Sequence, residues 1–409
     1  MDRSSRDAVV WLATPEAVRE RAQFLLRLAE ADALPHFVYR ADRLPGTVDY
    51  VLETIRQNYP DLAIPFHSRW RHFSVGGRDR WGALAQELRD PSAAEIGRAR
   101  FDLVVTSVLL DAGAGAAWRY REAGGEAYGR SEGLGVASFH LFRDGAFSGA
   151  PKDKLRADAE GLRRLDADRL GAGMQVSAEN PLVGLEGRAL LLRRLGDALA
   201  ADTELFGTEG RIGNLFDHLR GRAVDGALPA PEILTAVLRG FGAIWPGRHE
   251  IDGVNLGDTW RHSAIRADDA SAGFVPFHKL SQWLSYSLIE PLEAAGTRVT
   301  ECDALTGLAE YRNGGLFIDM GVLVPRDPDL KRRRLQVGDE AVVEWRALTV
   351  ALLDRLAEGV RRKLGLDAGR LPLVKVLEGG SWAAGRRIAR ERRADGAPPL
   401  TIESDGTVF

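Results

Sequence analysis

EAVVEWRALTVALLDRLAEGVRRKL, residues 340–364, carries the longest clean helical pattern in the chain. Val342, Trp345, Leu348, Leu352, Leu356 and Val360 recur at the three- and four-residue steps that line one face of an α-helix. Gly365 follows directly, where a left-handed residue closes such a helix. Working outward, the same spacing recurs through the chain. Thr14 and Pro15 form a start signal before Val18, Ala22, Leu25 and Ala29. Thr47 opens another run through Val48, Val51, Leu52, Ile55 and Tyr59, stopped by Pro60. Residues 185–201 and 231–241 read alike, and 275–295 reads as a buried helix bent at Pro291. Residues 101–110 fit either a strand or a buried helix.

Strand signals are fewer. Asn313-Gly314-Gly315 between 308–312 and 316–323 reads as a hairpin turn, and Asp405-Gly406 marks a second turn in the last ten residues. The Gly-rich stretch 111–149 reads as long functional loops, and no βαβ periodicity or internal repeat occurs. The expected fold is therefore mainly α, with many helices and small β-hairpin elements.

The 409 residues carry 55 Lys+Arg against 58 Asp+Glu, a formal charge of −3. This near balance argues against a duplex nucleic-acid binder. No apolar run reaches the length of a membrane span, and the N-terminal segment is too short for a signal peptide. The single Cys302 rules out an intramolecular disulfide and a cysteine zinc cluster. These features lead to the expectation of a soluble, cytoplasmic protein.

Several stretches have the residue types that chemistry needs. Residues 65–73 pack Arg69, Arg71, His67, His72 and three aromatic residues together, a mix suited to an anionic, partly flat ligand. A surface segment with arginine stacked on tryptophan fits equally, and the His67/His72 spacing does not favour a metal pair. Asp111 ends an apolar element before Gly113 and Gly115, with Trp118 and Tyr120 beyond, but no dinucleotide fingerprint results. Arg248 and Trp260 belong to a second basic and aromatic set, and Lys279 and Gln282 stand near the start of a helix. A phosphate there would turn the unfavourable position of Lys279 into a favourable one. Asp319 lies among Leu316, Phe317, Ile318, Met320 and Val322, so it reads as a catalytic or ligand-binding acid, or as half of a structural ion pair. Residues 379–386 read as a Gly-rich entry into a basic helix. No Ser-His-Asp order, zinc-ligand spacing or Walker sequence is present.

Residues 65–73, 109–115, 130–134, 305–319 (with Glu310-Tyr311-Arg312-Asn313-Gly314-Gly315), 379–386 and 404–409 resemble the Urc-four/Urg-three family of uracil catabolism. The likeness covers 1–409 as one family-wide unit, divisible into sub-lobes 1–180 (N-terminal helices and Gly-rich loops) and 181–409 (a helical lobe with the hairpin). Lys279, Gln282, Asp303, Leu305, Thr306, Phe317, Asp319, Val324 and Pro325 are also similar in order to queuosine-phosphate N-glycosylases. That second likeness implies a DNA-glycosylase-like lobe, a helix-hairpin-helix relative, with a late aspartate serving the glycosidic bond.

Together the resemblances imply a metal-independent N-glycosidase that releases urea from ribosylurea, as its 5-phosphate, a small nucleotide-derived substrate. Asp319 and Glu310 are then the catalytic carboxylates. Asp111, Trp118, Tyr120, Arg69, Arg71, Arg248, Trp260, Lys279, Gln282 and Arg312 are the substrate-binding set. The scheme calls for no cofactor, nucleic acid or membrane, and it allows association with other uracil-degrading enzymes. An amidohydrolase or phosphoribosyl-transfer step, and a non-enzymatic partner of the ring-opening enzyme, are the alternatives.

Overall fold

A computed structural model describes residues 3–88 and 92–403. Helix Glu340–Leu364 forms as its periodicity requires: Val342, Leu348, Leu352, Leu356 and Val360 are fully buried, and Gly365 closes it at φ 65°. It packs against Pro15–Glu30, where Thr14 accepts a hydrogen bond from the Ala17 amide, and against Leu44–Asn58. Thr47 lies inside that last helix and not at its start, and its hydroxyl bonds back to the Arg43 carbonyl.

Residues 101–110 resolve as the end of helix Ala93–Leu109, buried all round. A helix with apolar residues on every face belongs in a core, and this one packs against Lys279–Ala294 and Arg130–Arg143. The principal apolar cluster runs from Val18 to Leu400 and draws residues from both sides of position 180. The described strands pair in twos, among them Phe37–Tyr39 with Leu323–Pro325, and Thr259–Arg261 with Phe274–Pro276. The molecule is thus mainly helical, with short strand pairs. Among the described residues no helix is long and apolar enough to cross a membrane.

Two expectations are corrected. Asn313-Gly314-Gly315 is not a hairpin turn but the interior of helix Tyr311–Asp319. Glu310 caps that helix, and Gly314 serves close packing: a Cβ there would come within 2.7 Å of Trp345, whose indole donates to the Gly314 carbonyl. Residues 111–149 are not all loop either, since 130–143 are helical. The last strand, Thr401–Glu403, pairs in parallel with Arg334–Gln336, while the expected Asp405-Gly406 turn and the 404–409 motif lie outside the described residues.

Candidate functional site

The residues that converge come from segments far apart in sequence. Arg69 is wholly buried and fixed on three sides. Its Nε donates to Ser107 Oγ at 2.6 Å, its Nη1 to the Ser131 carbonyl at 3.3 Å, and it pairs with Asp111 at 3.1 Å. Ser131 Oγ donates in turn to Asp111 at 3.1 Å. The helix that ends before Asp111 and the helix that begins at Arg130 thereby meet over one guanidinium. Beside it, Arg69 lies 5.6 Å from the Trp283 ring and His72 6.0 Å from the same ring. Burial, reinforced by Arg69, holds His72 down to about 4, so its imidazole is neutral near pH 7.

Buried polar atoms without hydrogen-bond partners gather here: Arg69 Nη2, His72 Nδ1 and Trp283 Nε1. Native interiors hold few such atoms, so a group of them marks a place shaped by something other than stability.

Glu310 and Lys279 stand at two helix starts, and Lys279 lies within electrostatic range of both Glu310 and Asp111. Glu310 accepts the Arg312 amide at 2.7 Å and the Asn313 amide at 2.5 Å. Burial nevertheless raises its pKa above the ordinary carboxylate value, against the pull of those amides and of Lys279. Burial, with Arg346, lowers the Lys279 ammonium below its usual value, opposed by Glu310, Asp258 and Asp111. Among the described residues that ammonium makes no hydrogen bond. His278, just before it, is held at φ 46°, a left-handed conformation that is costly for a non-glycine residue.

One buried ion pair sets both helix starts. Arg346 grips Asp258 through two bonds of 2.8 Å and donates to the Ala309 carbonyl at 3.3 Å, next to Glu310. Asp258 accepts the Lys279 amide at 3.0 Å and the Trp260 indole at 2.7 Å. The rim is completed by Tyr311, by Trp382 and by Glu132, which accepts from Arg386 at 2.8 Å. The arrangement offers a carboxylate beside an ammonium, fixed arginine and acid partners, and indole walls. Such a set can hold an anionic, partly apolar ligand and stabilise positive charge near Glu310. Among the described residues no three His, Cys, Asp or Glu side chains group to hold a metal ion.

Of the residues expected from sequence, the structure brings together Glu310, Lys279, Asp111 and Arg69, with Trp260 one hydrogen bond away through Asp258. It does not bring Asp319 to them. Asp319 ends the helix that Glu310 caps, about 13 Å along its axis at 1.5 Å per residue, and pairs bidentately with Arg393 at 2.8 and 2.5 Å. Its apolar neighbours surround a structural ion pair. Arg71 pairs with Glu290, Arg312 donates to the Gly396 carbonyl at 2.8 Å, and Arg248 lies over Trp260 at 5.1 Å. Gln282 clamps Thr306 at 2.6 and 3.0 Å. Trp118 is core, donating to the Met174 carbonyl at 3.0 Å, and Tyr120 stacks on His140 at 5.6 Å.

Sequence reasoning missed Glu378 and Arg346. Arg346 left a trace, as a cation inside a helix buried on nearly every face; Glu378 left none before its partner His67 was located.

A family model described as "Protein of unknown function (DUF1688)" matches residues 11–409. The chain is 40% identical over 412 aligned residues to "Protein urg3" of Schizosaccharomyces pombe, covering 99% of this chain and 100% of that protein. It is 41% identical over 407 aligned residues to "Uracil catabolism protein 4" of Lachancea kluyveri, covering 91% and 92%. With a match of this extent and identity along nearly its whole length, the chain belongs to the DUF1688 family.

Proposed function

We propose that the protein acts in uracil catabolism as an N-glycoside hydrolase, releasing urea from ribosylurea 5-phosphate. The observation that carries this reading is the Glu310 carboxylate, held by two backbone amides and facing the Lys279 ammonium beside the Arg69–Asp111 pair. The name of the Lachancea kluyveri relative supports the pathway. Breaking a ribosyl C–N bond builds positive charge on the ring oxygen and anomeric carbon, and a fixed carboxylate stabilises that charge without reorganising. Glu310 takes this role and accepts a proton from the attacking water. Lys279 meets the phosphate and supplies binding energy remote from the reacting carbon. Asp111 accepts from the ureido NH groups. Asp319, bound to Arg393 at the far end of the helix, takes no part.

The test is incubation of the purified protein with synthetic ribosylurea 5-phosphate and with ribosylurea, following urea. Release from the phosphorylated substrate, reduced by about a hundredfold or more in Glu310→Gln, is expected. A folded protein that frees urea from neither compound refutes the reading.

A further inference from the structure

His67 takes no part in the scheme so far, yet it stands within electrostatic reach of Glu310. Its backbone amide donates to the Val374 carbonyl at 3.1 Å, and its Nδ1 lies 2.7 Å from Glu378 Oε2. A carboxylate only accepts, so Nδ1 carries a hydrogen, and Nε2 is the nitrogen left for chemistry. Among the described residues Nε2 makes no hydrogen bond, and the side chain keeps 9% of its surface exposed. Trp382 and Trp283 flank the ring at centroid distances of 5.8 and 6.4 Å. Glu378 projects from a single wide π-helical turn, Leu377–Ser381, between two α-helical segments. Such turns cost backbone regularity and recur where a side chain must be aimed.

From this geometry we infer that His67 is a catalytic residue, the proton donor to the departing urea nitrogen, and that Glu378 is its positioning residue. The inference rests on the hydrolase reading above. As the C1–N bond breaks, its electron pair passes to nitrogen and the imidazolium Nε2 gives its proton there, so that urea leaves neutral. Water adds to C1 and loses a proton to Glu310, which returns it through solvent to His67. The sum is one water consumed and one urea and one ribose 5-phosphate formed. The division of labour is spatial: the acid stands between two indoles, and the charge-stabilising carboxylate stands at the Lys279 side. Glu378 accepts from one ring nitrogen of His67, while the cations Lys279 and Arg69 lie among the groups around Glu310 and Asp111.

The discriminating experiment compares two leaving groups. Wild type and His67→Gln are assayed on ribosylurea 5-phosphate and on p-nitrophenyl ribofuranoside 5-phosphate, whose phenolate departs without a proton. The expected result is a loss of about 10²- to 10⁴-fold on the ureido substrate and less than about tenfold on the nitrophenyl one. Glu378→Gln, which keeps a hydrogen-bond acceptor for Nδ1 but not the charge, is expected to show the same selectivity at a smaller amplitude. Equal losses on both substrates, or no loss in His67→Gln, overturn the inference while leaving the hydrolase reading intact. A wild-type protein that releases no urea fails that reading first and takes this inference with it.

Discussion

Gly385→Ala puts the packing argument to a quantitative test. Gly385 lies in helix Trp382–Arg392, and a Cβ built there falls 2.2 Å from the Arg312 carbonyl oxygen of helix Tyr311–Asp319. Ordinary van der Waals contact begins at 3.4 Å, so the two helices must separate by about 1 Å. The obstacle is backbone, and no rotamer change relieves it. Overpacking of this kind costs about 1 to 3 kcal/mol, or more where backbone must move, and the better helix propensity of alanine returns at most about 1 kcal/mol. The expected net loss is about 1 to 2 kcal/mol. Urea unfolding followed by circular dichroism should show a lower midpoint with an unchanged slope. Gly187→Ala is the control: nothing lies within 4 Å of its Cβ, and it is expected to be neutral or stabilising by about 0.5 kcal/mol. Because Arg386 and Arg312 flank the contact, urea release by Gly385→Ala should also fall under conditions where it is folded. A Gly385→Ala protein as stable as the wild type would refute the reading of that interface.

Asp319→Asn should leave urea release within about twofold of wild type while lowering stability by about 1 to 3 kcal/mol, as for one partner removed from a largely buried pair; a collapse of turnover in a folded variant would return Asp319 to the site. Lys279→Met should weaken binding of the phosphorylated substrate by about tenfold or more, read as a rise in KM, with little effect on unphosphorylated ribosylurea. His72 is depressed from 6.5 to about 4 by burial and Arg69, against Asp111, Glu132 and Glu378. The unfolded chain therefore takes up the proton first on acidification, and this contribution is complete above pH 6.5 and lost as pH falls through 4. His72→Gln should reduce the acid-induced loss of stability between pH 7 and 4 by about 2 to 3 kcal/mol, measured by urea unfolding at each pH.

How far the chain could be read from its residues depended on the range of the cause. Helices Glu340–Leu364 and Leu185–Ala201 are local events, governed by spacing and caps, and their observed bounds match the expected ones. Asn313-Gly314-Gly315 shows the opposite case: the local turn signal is overridden by the cap at Glu310 and by Trp345, which lies next to Gly314 only in the folded chain. Glu310, Lys279, Asp111 and Arg69 were recognisable as residue types in suggestive settings. That Asp319 meets Arg393, and that His67 meets Glu378, depends on contacts between distant segments, which no spacing rule contains.

The cluster draws on His67, Asp111, Ser131, Lys279, Glu310 and Glu378, each from a different segment, so no contiguous fragment contains it. Loop closure across such separations comes late in folding, after the local helices have formed. Ligand affinity therefore becomes a reporter of complete assembly: intermediates with near-native helix content are expected to bind nothing. Conversely, a tight ligand draws the whole population toward the finished fold, because it has no affinity for the parts.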